Sequence, residues 1–271
     1  MTLNPNPSVP ELNGDFDPMP LQARLAQILA QIDASTLAAG RAAGSVRLIG
    51  VTKTRSASEL MQVVAFGLCD LGANYLEEAL PAIAALRSAG QACRWHFIGQ
   101  VQGNKTRLIA EHFDWVHTLD RMRIAERLSA QRAATAPPLN VLLQVNFARE
   151  PSKGGVQTLE SLRTLAREVR RLPNLRLRGL MTIPPADGSD SGAVFAEVAA
   201  ALAVLRNDDG AGTAALDTLS MGMSDDFDAA IAAGATMVRI GTALFGARPT
   251  RMRNSPTAHP PIPSPDRESQ P

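Results

Sequence analysis

Eight short apolar runs alternate with helix-forming segments along this chain, and that alternation predicts an α/β fold, a single (β/α)8 TIM-type barrel. Two further observations support it. At 271 residues, 45% of them hydrophobic, the chain suits one barrel of ordinary size. No G-x-G-x-x-G follows the first strand, which counts against the runner-up, a doubly wound open sheet.

The elements follow in order. Residues 1–18 are rich in Pro, Asn and Asp without periodicity, and the tail from Pro249 carries Pro256, Pro260, Pro261, Pro263 and Pro265. Neither end can bury enough apolar surface to order itself, so 1–18 and 249–271 are expected to be disordered around a barrel at 19–248. An amphipathic helix at about 20–43 precedes the first strand. Strand-like runs lie at 48–52, 68–71, 95–99, 115–118, 141–146, 177–182, 216–221 and 237–241. Helical segments separate them at roughly 56–66, 75–89, 104–111, 121–133, 158–171, 192–205 and 225–233. Ser56 and Ser58 carry helix-start chemistry, Asp120 can cap the helix after it, Gly90 follows the helix at 75–89, and Gly234 can close the last.

Composition excludes several function classes. A net charge of +1 with no Lys/Arg cluster leaves no footprint for nucleic acid. The apolar stretches stop short of a membrane span, and no basic segment followed by an apolar one opens the chain, so no membrane is expected and a cytoplasmic location is. Cys69 and Cys93 read as free thiols of a reducing compartment. His96, His112, His117 and His259 show no metal-ligand spacing with them.

In such a barrel functional residues belong at the C-terminal ends of strands. Lys53 ends the run Val46-Arg47-Leu48-Ile49-Gly50-Val51-Thr52-Lys53, where a rim with little water would favour loss of its proton from an ordinary value of about 10.4. The alternative for Lys53 alone is a solvated strand-end charge. Asn74 and Tyr75 follow strand two after Gly72, which permits a tight turn. Asn74 also reads as a turn former, Asn104 as a helix N-cap, and His96 as a hydrogen-bonded core histidine. Gln102 and Lys105 share the loop after strand three, Asn146 ends strand five, and Met181 and Thr182 end strand six.

The loops after strands seven and eight say more. Ser220-Met221-Gly222-Met223-Ser224-Asp225-Asp226 joins a small glycine-containing loop to Ser224 as N-cap, and Arg239-Ile240-Gly241-Thr242 ends strand eight. Together they offer a phosphate N–H donors, two hydroxyls and a glycine approach, with no carboxylate facing in; Asp225 and Asp226 fall in a first helical turn, directed away. A plain cap and a plain turn are the competing reading. A phosphate site beside a strand-end lysine fits a Schiff-base sugar-phosphate aldolase or a pyridoxal phosphate protein. Arg239 favours the second, since it can point at a pyridine nitrogen, and no strand end offers the evident carboxylate an aldolase needs.

Val51-Thr52-Lys53-Thr54, Trp95-His96-Phe97-Ile98-Gly99, Gln102-Gly103-Asn104-Lys105, Leu177-Arg178-Gly179-Leu180-Met181, Ser220-Met221-Gly222-Met223-Ser224-Asp225 and Val238-Arg239-Ile240-Gly241-Thr242 resemble the pyridoxal phosphate homeostasis proteins, whose fold is like the alanine racemase N-terminal domain. The likeness runs in order over about residues 20–248. It implies pyridoxal 5′-phosphate as cofactor, held as an aldimine on Lys53, with Arg239 facing the pyridine nitrogen. It further implies Ser220, Ser224, Gly241, Thr242 and the backbone of Met223 around the phosphate, and Asn74 bordering the cofactor. Lys153 matches a family loop lysine, which implies transient acceptance of cofactor; a solvated loop charge is the competing reading. Ala73 stands where the family usually has glutamate, and Gly103 where it has serine. The family's racemase relatives use a second base, a tyrosine from a separate β-domain; here the one tyrosine is Tyr75, and a proline-rich tail follows the barrel. The resemblance therefore implies intracellular cofactor homeostasis without robust catalysis, with a weak amino-acid racemase as the alternative. The partners expected are the cofactor and recipient apo-enzymes, and the chain is expected to be a monomer.

Overall fold

In a computed structural model the eight strands close into one parallel barrel in sequence order, β1 pairing with both β2 and β8. The structure describes residues 19–150, 152–185, 190–208 and 216–246; both tails expected to be disordered lie outside them. The chain runs α1 (Leu21–Ala38), β1 (Arg47–Val51), α2 (Ala57–Ala65), β2 (Asp70–Ala73), α3 (Leu76–Ser88) and β3 (Arg94–Phe97). A 3-10 turn at Gly103–Lys105 leads into α4 (Thr106–His112), β4 (Trp115–Leu119), α5 (Met122–Gln131), β5 (Leu139–Val145) and α6 (Leu159–Val169). Then come β6 (Leu175–Thr182), α7 (Ser191–Asp208), β7 (Thr218–Ser220), α8 (Phe227–Ala232), β8 (Met237–Ile240) and α9 (Thr242–Phe245).

Strand residues alternate between two cores, as the two-residue period of a strand requires. Leu48, Leu71, Phe97, Val116, Leu143, Leu180 and Val238 pack outward into the layer shared with the helices. Ile49, Trp115, Leu142, Met181 and Met237 fill the barrel interior. Helix α1 closes the seam that the short α8 and α9 leave open. Arg24 Nε donates to the Leu244 carbonyl at 2.7 Å, and Arg41 Nη1 donates to the carbonyls of Ala235 at 2.7 Å and Ile231 at 3.2 Å.

Several local expectations need correction. Strand β2 begins two residues later than the apolar run, because the Leu68 N–H turns back to the Val63 carbonyl at 3.1 Å while Gly67 takes φ +95°, closing α2. The same closure holds at Gly90 and Gly234, as expected from the sequence. Ser56 caps α2 through a reciprocal pair with Glu59. Asp120 caps nothing: Arg121 is the N-cap of α5, and the Asp120 carboxylate pairs with Arg121 Nη1 at 3.1 Å. Asn104 lies within the 3-10 turn rather than capping α4. Gly72 is not a turn residue; it sits inside β2, where a Cβ would come within 2.9 Å of Ile49 Cγ2.

Candidate functional site at the barrel mouth

Lys53 stands two residues past the end of β1, at the C-terminal rim where barrel sites form. Its Nζ lies 5.4 Å from the centroid of the Tyr75 ring, and among the described residues it makes no ion pair with a carboxylate. Thr54 follows it with φ +62°, a left-handed conformation that costs a threonine roughly 1–3 kcal/mol. The Thr54 N–H donates to Glu78 Oε2 at 3.0 Å, so a carboxylate on α3 holds the strained turn that presents the amine. Asn74 directly follows β2, with its backbone carbonyl against Gly99; a Cβ on Gly99 would lie 2.0 Å from that oxygen. Asn74, Tyr75, Phe97, Gln102 and Lys105 line a cavity of about 380 Å³, of which Lys53 touches one wall residue, Tyr75.

Arg239 lies on β8, the neighbour of β1, with Ile49 as its register partner. It is 4% exposed. Burial lowers its pKa to about 10, against the opposing charge of Asp226, and it stays a cation at neutral pH. Among the described residues its guanidinium bonds to neutral acceptors: Nη1 donates to Ser220 Oγ at 2.8 Å and Nη2 to the Thr182 carbonyl at 2.9 Å. A guanidinium carries five N–H donors, so others remain for an acceptor at the mouth.

The β7 and β8 loops meet along the same edge, where the Arg239 N–H donates to the Gly222 carbonyl at 3.0 Å. Gly241 brings the end of β8 against β1, where a Cβ would meet that of Val51 at 3.3 Å. Thr242 opens α9 and is exposed; Ser224 is half-buried. Among the described residues neither hydroxyl has a hydrogen-bond partner.

Three expectations about these loops differ from the structure. Ser224 does not cap a helix, since α8 starts at Phe227 after Asp226. Asp226 does not turn away: its Oδ1 accepts the Met223 N–H at 2.6 Å. With the helix starting two residues later than expected, the carboxylate falls opposite the loop amide instead of the first helical N–H groups. Ser220 is completely buried behind Arg239, with Oγ 2.9 Å from His117 Nδ1, while Ser224, Met223, Gly241 and Thr242 stand at the rim.

Sequence reasoning missed the polar interior beneath Arg239. His117 Nε2 lies 3.0 Å from His96 Nδ1, and His96 Nε2 lies 2.9 Å from Asp70 Oδ1. His96 is thus the hydrogen-bonded core histidine expected, but His117 joins it. The signal was present as one histidine inside each of two successive apolar strand runs. Lys153 is not a solvated charge; its amine pairs with the Glu150 carboxylate and donates to the Pro184 carbonyl. Asp120 is a carboxylate just past β4, contrary to the expected absence of one. Burial raises its pKa against Arg121, and it lines a separate cavity with Gly155 and Thr158.

Burial pushes both imidazoles below the ordinary histidine pKa. His117 falls well below it, with His96 and Arg239 acting the same way, whereas for His96 the Asp70 hydrogen bond pulls partly back. For Asp70 burial opposes ionisation, but Arg94 and His96 outweigh it and hold the carboxyl well below the usual range. Unfolded histidines titrate near about 6.5, so below that pH the unfolded chain binds more protons than the folded one. The rings' contribution to stability is complete above about pH 6.5 and falls as pH drops, by roughly 1.4 kcal/mol per pH unit for each ring until its folded pKa is reached. Asp70 acts in the same sense lower down, its contribution being lost as pH falls below about 3.9 toward its folded value. The urea midpoint is expected to hold between about pH 7.5 and about pH 6.5 and then to fall steadily toward about pH 5. A constant midpoint across that interval would contradict the neutral assignment.

A closed barrel, a rim lysine and an arginine-backed mouth define a class. The family model for the alanine racemase N-terminal domain matches residues 28–249. The chain belongs to the pyridoxal phosphate homeostasis proteins within that class. It is 53% identical over 226 residues to the pyridoxal phosphate homeostasis protein of Pseudomonas aeruginosa, covering 83% of this chain and 94% of that one. It is 50% identical over 225 residues to that of Escherichia coli K12, covering 83% and 95%. Among solved structures, PipY of Synechococcus elongatus with PLP bound is 33% identical with a TM-score of 0.73, covering 84% of this chain and all of that one. Alanine racemase from Corynebacterium glutamicum, at 15% identity and a TM-score of 0.62, shares the fold over 83% of this chain and 62% of its own.

Proposed function

We propose that this chain, through one barrel domain at 19–248, binds pyridoxal 5′-phosphate covalently at Lys53 and maintains the cellular supply of the cofactor as a carrier rather than a catalyst. The observation that carries this reading is the pairing of Lys53, an amine outside any ion pair among the described residues, with Arg239 on the adjacent strand β8, a buried cation that among the described residues is held by neutral acceptors. Relatives bearing the homeostasis name and the PLP-bound PipY support the choice of cofactor.

The residues present fit this group. Pyridoxal phosphate supplies an aldehyde that condenses with a primary amine and a ring that can take up electrons. Lys53 provides the amine, and Glu78 fixes the turn that carries it. Arg239 would donate toward the ring nitrogen and, as a cation, would keep that nitrogen unprotonated, which would weaken the ring as an electron sink. Ser224 and Thr242 offer hydroxyls without competing partners, and Gly241 leaves room at the rim. The Met223 N–H joins them once Asp226 releases it. Asn74, which lines the cavity, would border the ring. Ser220 supports Arg239 from below.

A racemase needs a second base across the ring from the lysine. The single tyrosine, Tyr75, lies against Lys53 itself, which supports the carrier reading. Two free thiols, Cys69 and Cys93, suit a reducing cytoplasm, where recipient apo-enzymes would draw on the store. The test is deuterium exchange at the α-carbon of alanine and serine by purified, cofactor-loaded protein. Exchange at background rate is expected; turnover at enzyme-like rates would establish the racemase instead.

A further inference from the structure

Below the mouth, five buried side chains form one continuous chain through the barrel interior. Arg239 Nη1 donates to Ser220 Oγ at 2.8 Å, and Ser220 Oγ lies 2.9 Å from His117 Nδ1. His117 Nε2 lies 3.0 Å from His96 Nδ1, and His96 Nε2 lies 2.9 Å from Asp70 Oδ1. The chain crosses from β8 and β7 through β4 and β3 to the first residue of β2, at the end of the barrel opposite Lys53. Ser220, His96 and His117 are each 0% exposed. Ring contacts hold the imidazoles: His96 stacks on Trp115 at 5.6 Å and 14°, and meets His117 edge-on at 5.1 Å and 76°.

The two ends of this chain fix the direction of every bond between them. A guanidinium only donates and a carboxylate only accepts. Asp70 is an ionised acceptor, anchored by Arg94 through Nε at 2.7 Å and Nη2 at 2.6 Å, with Arg47 Nε at 3.8 Å. His96 must therefore place its proton on Nε2. A neutral ring then leaves Nδ1 bare, and that nitrogen accepts from His117 Nε2–H. His117 Nδ1 is bare in turn and accepts the Ser220 hydroxyl proton. Ser220 is left with lone pairs for Arg239 and no proton to offer a ligand. A charged imidazole would break the sequence and put a second buried cation next to Arg239, which burial disfavours.

We propose that Asp70, His96 and His117 are positioning residues that lock Ser220 as a one-way acceptor and so hold the Arg239 guanidinium in the orientation that receives the cofactor ring nitrogen. The proposal rests on the reading of Arg239 given above. Because the Arg239 guanidinium has two hydrogen-bonded anchors among the described residues, Ser220 Oγ and the Thr182 carbonyl, freeing the first lets it pivot about the second. The cofactor's residence time is then set in part from the far end of the barrel, without any contact between Asp70 and the ligand.

Two measurements test this. In cofactor-free full-length protein, long-range nitrogen–proton correlation spectra of the imidazoles should show both buried rings as the Nε2–H tautomer at neutral pH; His117→Gln removes one of the two sets and assigns them. A ring protonated on Nδ1, or doubly protonated, would overturn the one-way chain. Separately, release of pyridoxal phosphate is followed by decay of its absorbance after dilution. His117→Leu, which ends both hydrogen bonds, should speed release about tenfold, the scale of one lost hydrogen bond to a charged group. His117→Gln keeps one acceptor and one donor and should return release to near the wild-type rate. Equal release from wild type and the leucine variant, or equal release from the two variants, would overturn the positioning role. If the leucine variant does not fold, the tautomers together with the glutamine variant and Asp70→Ala decide: Asp70→Ala removes the fixed acceptor and should speed release, and an unchanged rate refutes the proposal. Wild-type protein that takes up no cofactor would refute the Arg239 reading while leaving the tautomer result intact.

Discussion

Lys53→Ala is expected to abolish the covalent chromophore completely while leaving the barrel folded. The side chain is half-buried at the rim, its amine contacts only the Tyr75 ring among the described residues, and alanine creates no buried cavity or orphaned partner there. The strained turn survives the change, because Glu78 grips the Thr54 N–H and not the lysine. Pyridoxal phosphate should still associate through Arg239 and the rim hydroxyls, but reversibly and without borohydride reduction. The measurement is absorbance of cofactor-loaded protein before and after borohydride, with the urea midpoint as control. A reducible adduct of wild-type intensity in the alanine variant would move the attachment elsewhere; Lys153 is the lysine to examine first, though Glu150 and the Pro184 carbonyl already engage its amine.

The second large effect is structural and lies at Gly179. This glycine sits within β6 at φ +151°, opposite Thr218 of β7, and a Cβ there would lie 1.9 Å from the Thr218 carbonyl oxygen. No rotamer relieves a clash between a Cβ and backbone, so the two strands must separate. Those strands carry both anchors of Arg239, the Thr182 carbonyl and Ser220 Oγ. Gly179→Ala is expected to cost more than about 4 kcal/mol, in the range of backbone strain combined with broken packing. Soluble yield and urea unfolding read the loss; a midpoint equal to wild type would show that β6 and β7 tolerate displacement.

The barrel was legible because its strands are continuous apolar runs of two-sided burial, separated by segments with the helical period. Caps and closures were legible where one residue's chemistry decides them, as at Ser56, Gly90 and Gly234. They were not legible where the backbone shifts by two residues: α8 starts at Phe227 and not at 225, and this alone turns Asp226 from a bystander into the acceptor of the Met223 N–H. The rim residues Lys53, Asn74, Ser224 and Thr242 could be placed because strand ends face the mouth of a barrel. Ser220 was placed on the right strand but given a rim role, since nothing in its own loop tells that Arg239 covers it.

The histidine chain lay beyond sequence reasoning for a similar reason. His96 and His117 are 21 residues apart, and their contact depends on the β3–β4 register that sets His96 against Trp115. Asp70 joins them only because β2 starts at that residue and not at Leu68. Each histidine alone reads as an isolated polar residue in an apolar strand. Placed in register, they become a single polar column that carries the arginine of the site.

The covalent role of Lys53 is the centre of this account, and the most direct test is peptide mapping of wild-type protein treated with pyridoxal phosphate, reduced with borohydride and digested. One reduced pyridoxyl group on the peptide containing Lys53, with loss of the visible absorbance on reduction, is the result expected. A label confined to another lysine, or trapping with sugar phosphates but not with pyridoxal phosphate, would contradict it.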